Sequence, residues 1–300
     1  MAVATRPRPL AQRILGKHPI GALFVAPYVI FLVAVFAYPF GFSVYMSFYD
    51  YFFAAPGAVV DRPFVGLDNY TSVLGDPLFR TAVWNIAKFM IINVPLTVVM
   101  SLVLASALNA KLPFRTFFRA AFYVPYVTAS VAIVGIWLFL FNETGLVNSV
   151  LGDLAPEPSW LVNEFWAMPM IALLVTWKQM GFYVLLYLAA LQNVPDEFHE
   201  AAAIDGANAI QRFFYITVPG VRPATVLVVV LSTVIGAQIF TESYLLTGGG
   251  PNNASVTPVL LMYREGIEQN HPGVAAAIGV LLAIAVMALA LFNRFVLERD

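Results

Sequence analysis

Cysteine is absent from the 300 residues, histidine occurs only 3 times, and charged residues make up 11%, against roughly 25% in an ordinary soluble domain. Without cysteine there is no disulfide, no thiolate metal site and no thiol nucleophile. His18, His199 and His271 lie far apart with no metal-ligand spacing, and no nucleophile–base arrangement stands out. No metal is therefore expected. A net charge of −1 gives no basic excess for a nucleic acid.

Apolar surface takes the place of charge: 60% of residues are hydrophobic and the mean hydropathy is +0.81. Six long apolar segments occur, roughly Ile20–Tyr49, Thr81–Ala110, Ala120–Phe141, Phe165–Leu191, Ala224–Leu245 and Gly273–Val296. Each can cross ~30 Å of hydrocarbon as a helix, whereas barrel strands alternate over ~10 residues. Backbone amides in lipid need partners within their own segment, which favours helices despite many β-branched and aromatic residues. The expected fold is an all-α integral membrane protein with six transmembrane helices. The first run is about twice the 7–15 residues of a signal-peptide core and contains Pro27 and Pro39, so it reads as an uncleaved span.

Lys and Arg placement orients these spans. With the N-terminus inside, the cytoplasmic segments hold Arg6, Arg8, Arg13, Lys17, Lys111, Arg115, Arg119, Arg212, Arg222, Arg294 and Arg299. The external segments hold Arg62, Arg80 and Arg264, while Lys88 and Lys178 fall within spans. Both termini are thus expected in the cytoplasm. The division is a cytoplasmic segment 1–19, one membrane domain 20–296 and a cytoplasmic tail 297–300. The external Asn142–Glu164 segment carries Glu143, Asp153, Glu157 and Glu164 with no basic residue. Asp50–Arg80 has room for a short helix, with Asp68 as its cap.

The interval Pro195–Pro223, PDEFHEAAAIDGANAIQRFFYITVPGVRP, is polar where a membrane protein usually has a short connection. Pro195 suits the first turn of a helix, and Asp196 and Glu197 suit the positive end of its dipole. Phe198, Ala201 and Ala202 share one face by their spacing. Asp205 and Gly206 mark a stop, because glycine takes the left-handed conformation that closes a helix. A second helix is expected from Ala207 to about Tyr215, with Ile210, Phe213 and Phe214 on its apolar face, ended by Pro219 and Pro223. Helices this short need something to pack on. A lipid-surface helix carries Lys and Arg, but Asp196, Glu197, Glu200 and Asp205 would be repelled by an anionic leaflet. A protein partner is the better fit.

Glu200, Ala201 and Ala202, three residues, Gly206, nine residues, then Ile216 and Pro219 reproduce the spacing EAA–three–G–nine–I–one–L–P, with Val218 where Leu is usual. This resembles the EAA loop of bacterial ABC importer permeases of the carbohydrate-uptake type. The likeness extends to YPFGFSVYMSF at Tyr38–Phe48, FVGLDNY at Phe64–Tyr70, LNAKLPFRTFFRAAFYVPYV at Leu108–Val127, LAALQNVP at Leu188–Pro195 and LTGGGPNN at Leu246–Asn253. It covers roughly Ala22 to Arg294. One departure is that an F-D pair often precedes the LTGGGP turn, whereas Thr241 follows Phe240 here and Glu242 comes next.

The resemblance implies a multi-pass permease of the bacterial cytoplasmic membrane that moves a sugar-class solute inward. Its implied partners are two cytoplasmic ATPase subunits, a second homologous permease, an extracytoplasmic solute-binding protein and membrane lipid. ATP and Mg would be bound on the ATPase subunits and no cofactor on this chain, which would not itself be an enzyme. Cytoplasmic coupling helices between spans four and five would dock on the ATPase through Glu197, Glu200, Ala201, Ala202, Asp205, Gly206, Ile216 and Pro219.

Within the membrane, Lys178 stands near the middle of span four, where a lysine costs about 2.5–3.5 kcal/mol. It must face a cavity, a carboxylate or another subunit, and Glu242 is a candidate partner. Lys178, Gln238, Phe240, Glu242 and Tyr244 are the candidate substrate path, since amides and carboxylates bind sugar hydroxyls and rings stack on sugar C–H faces. Asn85, Lys88 and Asn93 are expected to form a polar seam toward another helix. Gly248, Gly249, Gly250 and Pro251 lack the GxxxxGK[ST] pattern of a phosphate loop and read as a tight external turn. The rival classes are a self-contained secondary transporter or channel, which would need intramembrane carboxylates for ion coupling, and a membrane enzyme, for which no catalytic cluster is visible.

Overall fold

The computed structural model describes residues 19–110 and 113–297. Arg6, Arg8, Arg13, Lys17, His18, Lys111 and Arg299 lie outside the described residues, as do the chain before Pro19 and the tail after Leu297. No strand forms among the described residues beyond an isolated bridge, Tyr49 to Phe64.

Among the described residues, five helical stretches are long and apolar enough to cross a membrane, Ser130–Leu154 being the third, and the bent pair Ala209–Gly220 and Arg222–Gly236 makes a sixth when counted as one span. The first is α1, Leu23–Met46, which widens into a π turn at Val33–Ala37. This turn ends two residues before Pro39, whose ring cannot accept the normal four-residue spacing. A short helix α2, Asp68–Gly75, follows, and Asp68 is its first residue, with Leu67 at the cap position expected of Asp68. Next come α3, Pro77–Asn109, with the Asp76 side chain accepting from Leu78 N–H, then α4, Arg115–Val127, and α5, Ser130–Phe141. The unbroken α6, Ala167–Leu191, leads into two short helices, α7, Asp196–Ile204, and α8, Ala209–Arg212. The chain then forms α9, Arg222–Gly236, α10, Thr241–Thr247, α11, Pro258–Tyr263, and α12, Pro272–Leu297.

Two expected spans are broken. The third, read as Ala120–Phe141, is α4 and α5 joined through extended backbone at Thr128 and Ala129. Pro125 lies one turn earlier and has no amide hydrogen to continue the ladder, and the Thr128 hydroxyl donates to the Val124 carbonyl at 2.7 Å. The fifth, read as one helix Ala224–Leu245, stops at Gly236 and restarts at Thr241. The 15-residue α9 spans only about 22 Å at 1.5 Å per residue. Backbone opened at this depth needs local partners. Ala237, Gln238 and Ile239 donate to the Thr233, Ile235 and Gly236 carbonyls. The Thr257 hydroxyl donates to the Ile239 carbonyl at 3.0 Å.

The packing centre is the crossing of α3 with α6, where Phe89, Ala105, Ile171, Leu174, Tyr183 and Tyr187 are buried. The α4 backbone comes so close to α6 that a Cβ on Gly181 would overlap the Phe122 carbonyl. Tyr187 and Thr225 hydroxyls, 3.1 Å apart, join α6 to α9. In contrast, α1 shows no burial along its most apolar stretch. It is held near its C-terminal end, where the Asn69 amide donates to the Ser47 and Tyr49 carbonyls at 2.9 and 3.0 Å.

The expected polar seam of α3 forms in part. Asn85 donates to the Asn253 and Val256 carbonyls at 2.8 and 3.1 Å, and Asn93 donates to the Thr176 hydroxyl at 2.8 Å. Lys88 is not in the seam. It points outward, exposed, with its ammonium 5.9 Å from the centre of the Trp84 ring. At about 100° per residue, Lys88 lies about 140° around the helix from Asn93.

Gly181→Ala is expected to cost about 1–3 kcal/mol, because the added methyl group overlaps backbone that can move only with the whole of α4. Gly135→Ala on α5, where nothing lies within 4 Å of the added Cβ, is the control. Thermal denaturation of the purified assembly should show a lower midpoint for the first and an unchanged one for the second.

Candidate functional site

The Pro195–Pro223 interval forms a compact pair of helices. Pro195 is extended, with ψ 132, and stands at the N-cap of α7, one position earlier than the first-turn place expected for it. Asp196 and Glu197 occupy the first turn, where their charge complements the helix dipole. The stop after Ile204 is a Schellman closure: Gly206 donates to the Ala203 carbonyl at 3.1 Å and Ala207 to the Ala202 carbonyl at 2.8 Å. Gly206 sits at φ +83, and a Cβ added there would meet nothing within 4 Å, so conformation, and not space, requires glycine here.

The second helix is shorter than expected. It begins at Ala209 behind a reciprocal capping box: Gln211 N–H donates to Asn208 Oδ1 and Asn208 N–H donates to Gln211 Oε1, both at 2.9 Å. The pattern Asn-x-x-Gln is a start signal in its own right, and it moves the helix start two residues beyond the expected Ala207. After Arg212 the chain enters a π turn, Phe213–Thr217, again two residues before a proline, here Pro219. Pro219 and Pro223 do not merely end a helix. They flank a 70° bend between Ala209–Gly220 and Arg222–Gly236.

Ala201, Ala202, Asp205, Ile216 and Pro219 converge on one open groove of 720 Å³, which Phe198 and Tyr215 also line. Glu200 and Gly206 stand outside the groove, and Glu197, Glu200 and Asp205 are all exposed. Phe198, Ile204, Ile210, Phe214 and Tyr215 are exposed as well, Ile204 at 87%. Large apolar side chains beside three exposed carboxylates make a surface suited to a protein partner.

The second cluster lies where the broken spans meet α6. Lys178 Nζ is 2.9 Å from Glu242 Oε1, with the side chains 15% and 10% exposed, and it also donates to the Ser130 hydroxyl. Ser130 opens α5 directly after the break in span three, and Glu242 lies in the first turn of α10 directly after the break in span five. Ser130 is an addition to the expected site residues, since one serine in an apolar run carries no signal until the break places it.

Phe240, Tyr244 and Tyr263 form a closed triangle of rings with centroids 5.2–5.3 Å apart. Tyr263 comes from α11, and no sequence spacing pairs it with the other two. The Gln238 side chain is exposed and donates to the Val234 carbonyl at 3.1 Å. Gly248 and Gly249 take φ +57 and +87. The turn they make is closed by Arg264 donating to the Gly248 carbonyl at 2.6 Å and by the Ser255 hydroxyl donating to the Gly250 carbonyl at 2.6 Å. Gly250 and Pro251 line a separate open pocket of 690 Å³ with Glu143 and Ser159.

The sequence profile of the binding-protein-dependent transport system inner membrane components matches residues 97–299. The arabinooligosaccharides transport system permease protein AraP of Bacillus subtilis is 39% identical over 276 residues, covering 90% of this chain and 86% of that protein. The sulfoquinovosyl glycerol transport system permease protein SmoG of Agrobacterium fabrum is 31% identical over 290 residues, covering 95% and 93%. A chain from a bacterial ABC transporter involved in the import of the acidic polysaccharide alginate superposes with a TM-score of 0.79 at 21% identity, covering 96% of this chain and 98% of that one. That last likeness is one of fold.

The Lys178–Glu242 pair sets up a double-mutant cycle. Lys178→Met or Glu242→Gln alone leaves an uncompensated buried partner and is expected to cost about 3–5 kcal/mol, whereas removing both charges together costs much less. Thermal inactivation of the assembled protein in detergent measures this, and strict additivity of the two single losses would show that the pair does not act as one.

Proposed function

The chain belongs to the family of binding-protein-dependent transport system inner membrane components, and on that footing we propose how its parts divide the work. It is a permease subunit of a sugar-class ABC importer in the bacterial inner membrane. Residues 20–296 act as one membrane domain, with the 1–19 segment and the 297–300 tail on the cytoplasmic side. It pairs with a second homologous permease, with two cytoplasmic ATPase subunits and with an external solute-binding protein. ATP and Mg are held by the ATPase subunits, and this chain carries out no hydrolysis of its own.

The observation that carries the coupling role is the convergence of Ala201, Ala202, Asp205, Ile216 and Pro219 on one groove, beside the exposed Glu197 and Glu200. Both helices of the loop are closed by their own hydrogen bonds, at Gly206 and at Asn208. They can therefore move as a rigid lever when the ATPase pair closes. The 70° bend hands that motion to α9, and rigid-body tilting of the spans then switches access from outside to inside. Glu200 supplies a carboxylate for a cation on the ATPase, and Gly206 preserves the left-handed closure that keeps α7 in place.

The substrate path runs past Lys178, Gln238, Phe240, Glu242 and Tyr244, where aromatic rings and polar groups sit together at the broken part of span five. The turn at Gly248, Gly249, Gly250 and Pro251 shapes its external mouth. The arabinooligosaccharide and sulfoquinovosyl glycerol systems of the relatives favour a glycoside as solute. A secondary transporter is disfavoured, because Glu242 is already committed to Lys178 and so is poorly placed to bind a coupling ion.

Glu200→Lys is expected to abolish co-purification of the ATPase subunits. Gly206→Leu, which must bear about 1–2 kcal/mol of left-handed strain, is expected to lower ATP-driven uptake at least tenfold. Asp153→Asn in the external segment should leave both unchanged. Full uptake and ATPase association in the first two variants would contradict the coupling role.

A further inference from the structure

The cytoplasmic end of α4 carries a basic and aromatic surface that the coupling role does not use. Arg115 is exposed and Arg119 half-buried; four residues apart, they stand on adjacent turns of one side of the helix. Neither makes an ion pair among the described residues. Phe114, Phe117 and Phe118 beside them are all exposed, Phe114 at 81%, and the rings of Phe117 and Phe118 meet edge to face at 5.7 Å. Phe117 and Phe118 lie about 60–160° round the helix from the arginines, so the surface has a cationic side and an apolar side. Lys111 precedes it in the sequence, and no aspartate or glutamate occurs between Asp76 and Glu143.

Placement decides what such a surface meets. Only residues 110–114 separate α4 from the end of α3, where Leu108 is buried in one cluster with Leu191 at the end of α6. From there α4 rises along α6, with Phe122 against Gly181, and leads through the break into α5. Its first turns thus stand at the cytoplasmic edge of the hydrocarbon and not in bulk water. Helix side chains lean toward the N-terminus, which on α4 is the cytoplasmic end, so both guanidinium groups reach toward the headgroups. An arginine held there without a carboxylate needs a counter-charge. Like charges at this spacing repel each other, and an anion shared between them offsets that repulsion. The exposed phenylalanines suit the boundary between headgroups and acyl chains. The sign of charge is opposite to that of α7, whose exposed Glu197, Glu200 and Asp205 suit a cationic protein partner.

We propose that this face of α4 binds the headgroup of an anionic phospholipid in the cytoplasmic leaflet. Arg115 and Arg119 take the phosphate, which a guanidinium can grip through two parallel hydrogen bonds, and Phe114, Phe117 and Phe118 lie against the upper acyl chains. Basic segments beside a span are drawn to an anionic leaflet. The bound headgroup holds the lower end of the helix that leads to Ser130, a partner of Lys178, so lipid charge bears on the position of that node. The site rests on membrane placement and not on the identity of the solute.

The test uses the complete transporter, with both permeases and the ATPase subunits. It is placed in phosphatidylcholine nanodiscs doped with a photoactivatable phosphatidylglycerol or, in parallel, with the same photoactivatable group on phosphatidylcholine, and labelled peptides are mapped by mass spectrometry. The expected result is saturable labelling of 113–119 by the phosphatidylglycerol, at least tenfold above the phosphatidylcholine and unchanged by excess inorganic phosphate. Arg115→Gln with Arg119→Gln should cut that preference at least tenfold. Arg115→Lys with Arg119→Lys, which keeps the charge but not the two-pronged geometry, should fall between. Equal labelling by the two lipids, an unchanged preference in the glutamine variant, or displacement by inorganic phosphate, which would mark a free-anion site, overturns the proposal. So does p-benzoylphenylalanine at Phe117 that crosslinks an ATPase subunit in place of lipid, because a protein then covers this face. If the glutamine variant does not assemble, the two-lipid comparison on the unaltered chain and the benzoylphenylalanine crosslink still decide.

Discussion

A lysine in the middle of a membrane helix needs a partner, and much of this fold follows from where Lys178 finds one. Its ammonium meets Glu242 at 2.9 Å and the hydroxyl of Ser130. Each of those groups stands directly after a break, in span five and span three respectively, and the lysine stands on the unbroken α6. One cation thus draws both interruptions onto the same continuous helix. An ion pair in a medium of low dielectric has few ways to exchange its partner for water. The pair therefore specifies which helices lie side by side, whatever its net contribution to stability.

The same α6 runs from this node to the Pro195–Pro223 interval, and α9 runs back from that interval toward the break that precedes Glu242. Between them Tyr187 bonds Thr225, and Val194 packs so close to Gly220 that an added Cβ would lie 2.9 Å away. A displacement of α7 and α8 would thus have a packed route to the broken part of span five. The exposed face of these two helices, apolar with acidic residues beside it, is where force would enter. The aromatic triangle of Phe240, Tyr244 and Tyr263 lies at the other end of the route.

Much of this is legible in the sequence because local rules dominate there. Hydrophobic length locates the crossings. Asp205 and Gly206 announce the end of α7, because only a residue at ease with φ +83 closes it. The breaks are not legible in the same way. Ala237 to Phe240 carries no glycine or proline to mark a stop, and its opening depends in part on a partner brought from elsewhere, Thr257 bonding the Ile239 carbonyl. Ser130 and Tyr263 escape a sequence reading for a related reason, since their neighbours come from distant segments. Pro39 and Pro219 are visible, but the π turns that absorb them are a response of the helix and not a property of proline alone. Spacing places Lys88 within about 60° of Asn85 around the helix but about 140° from Asn93, so it turns out of the seam that the two asparagines share. The Asn208–Gln211 box is a local signal, hidden only by the apolar residues around it that invite an earlier helix start.

The absence of cysteine makes the decisive measurement clean. A single Ile204→Cys substitution at the exposed end of α7 provides the only thiol in this chain, and disulfide crosslinking to single-cysteine ATPase subunits can be followed in native membranes. A crosslink to the ATPase that forms with Ile204→Cys but not with Asp153→Cys in the external segment is the expected result, and ATP should change its yield. Failure of Ile204→Cys to crosslink any ATPase position, or equal crosslinking from Asp153→Cys, would contradict the assignment of this loop as the place where ATP hydrolysis acts on the chain.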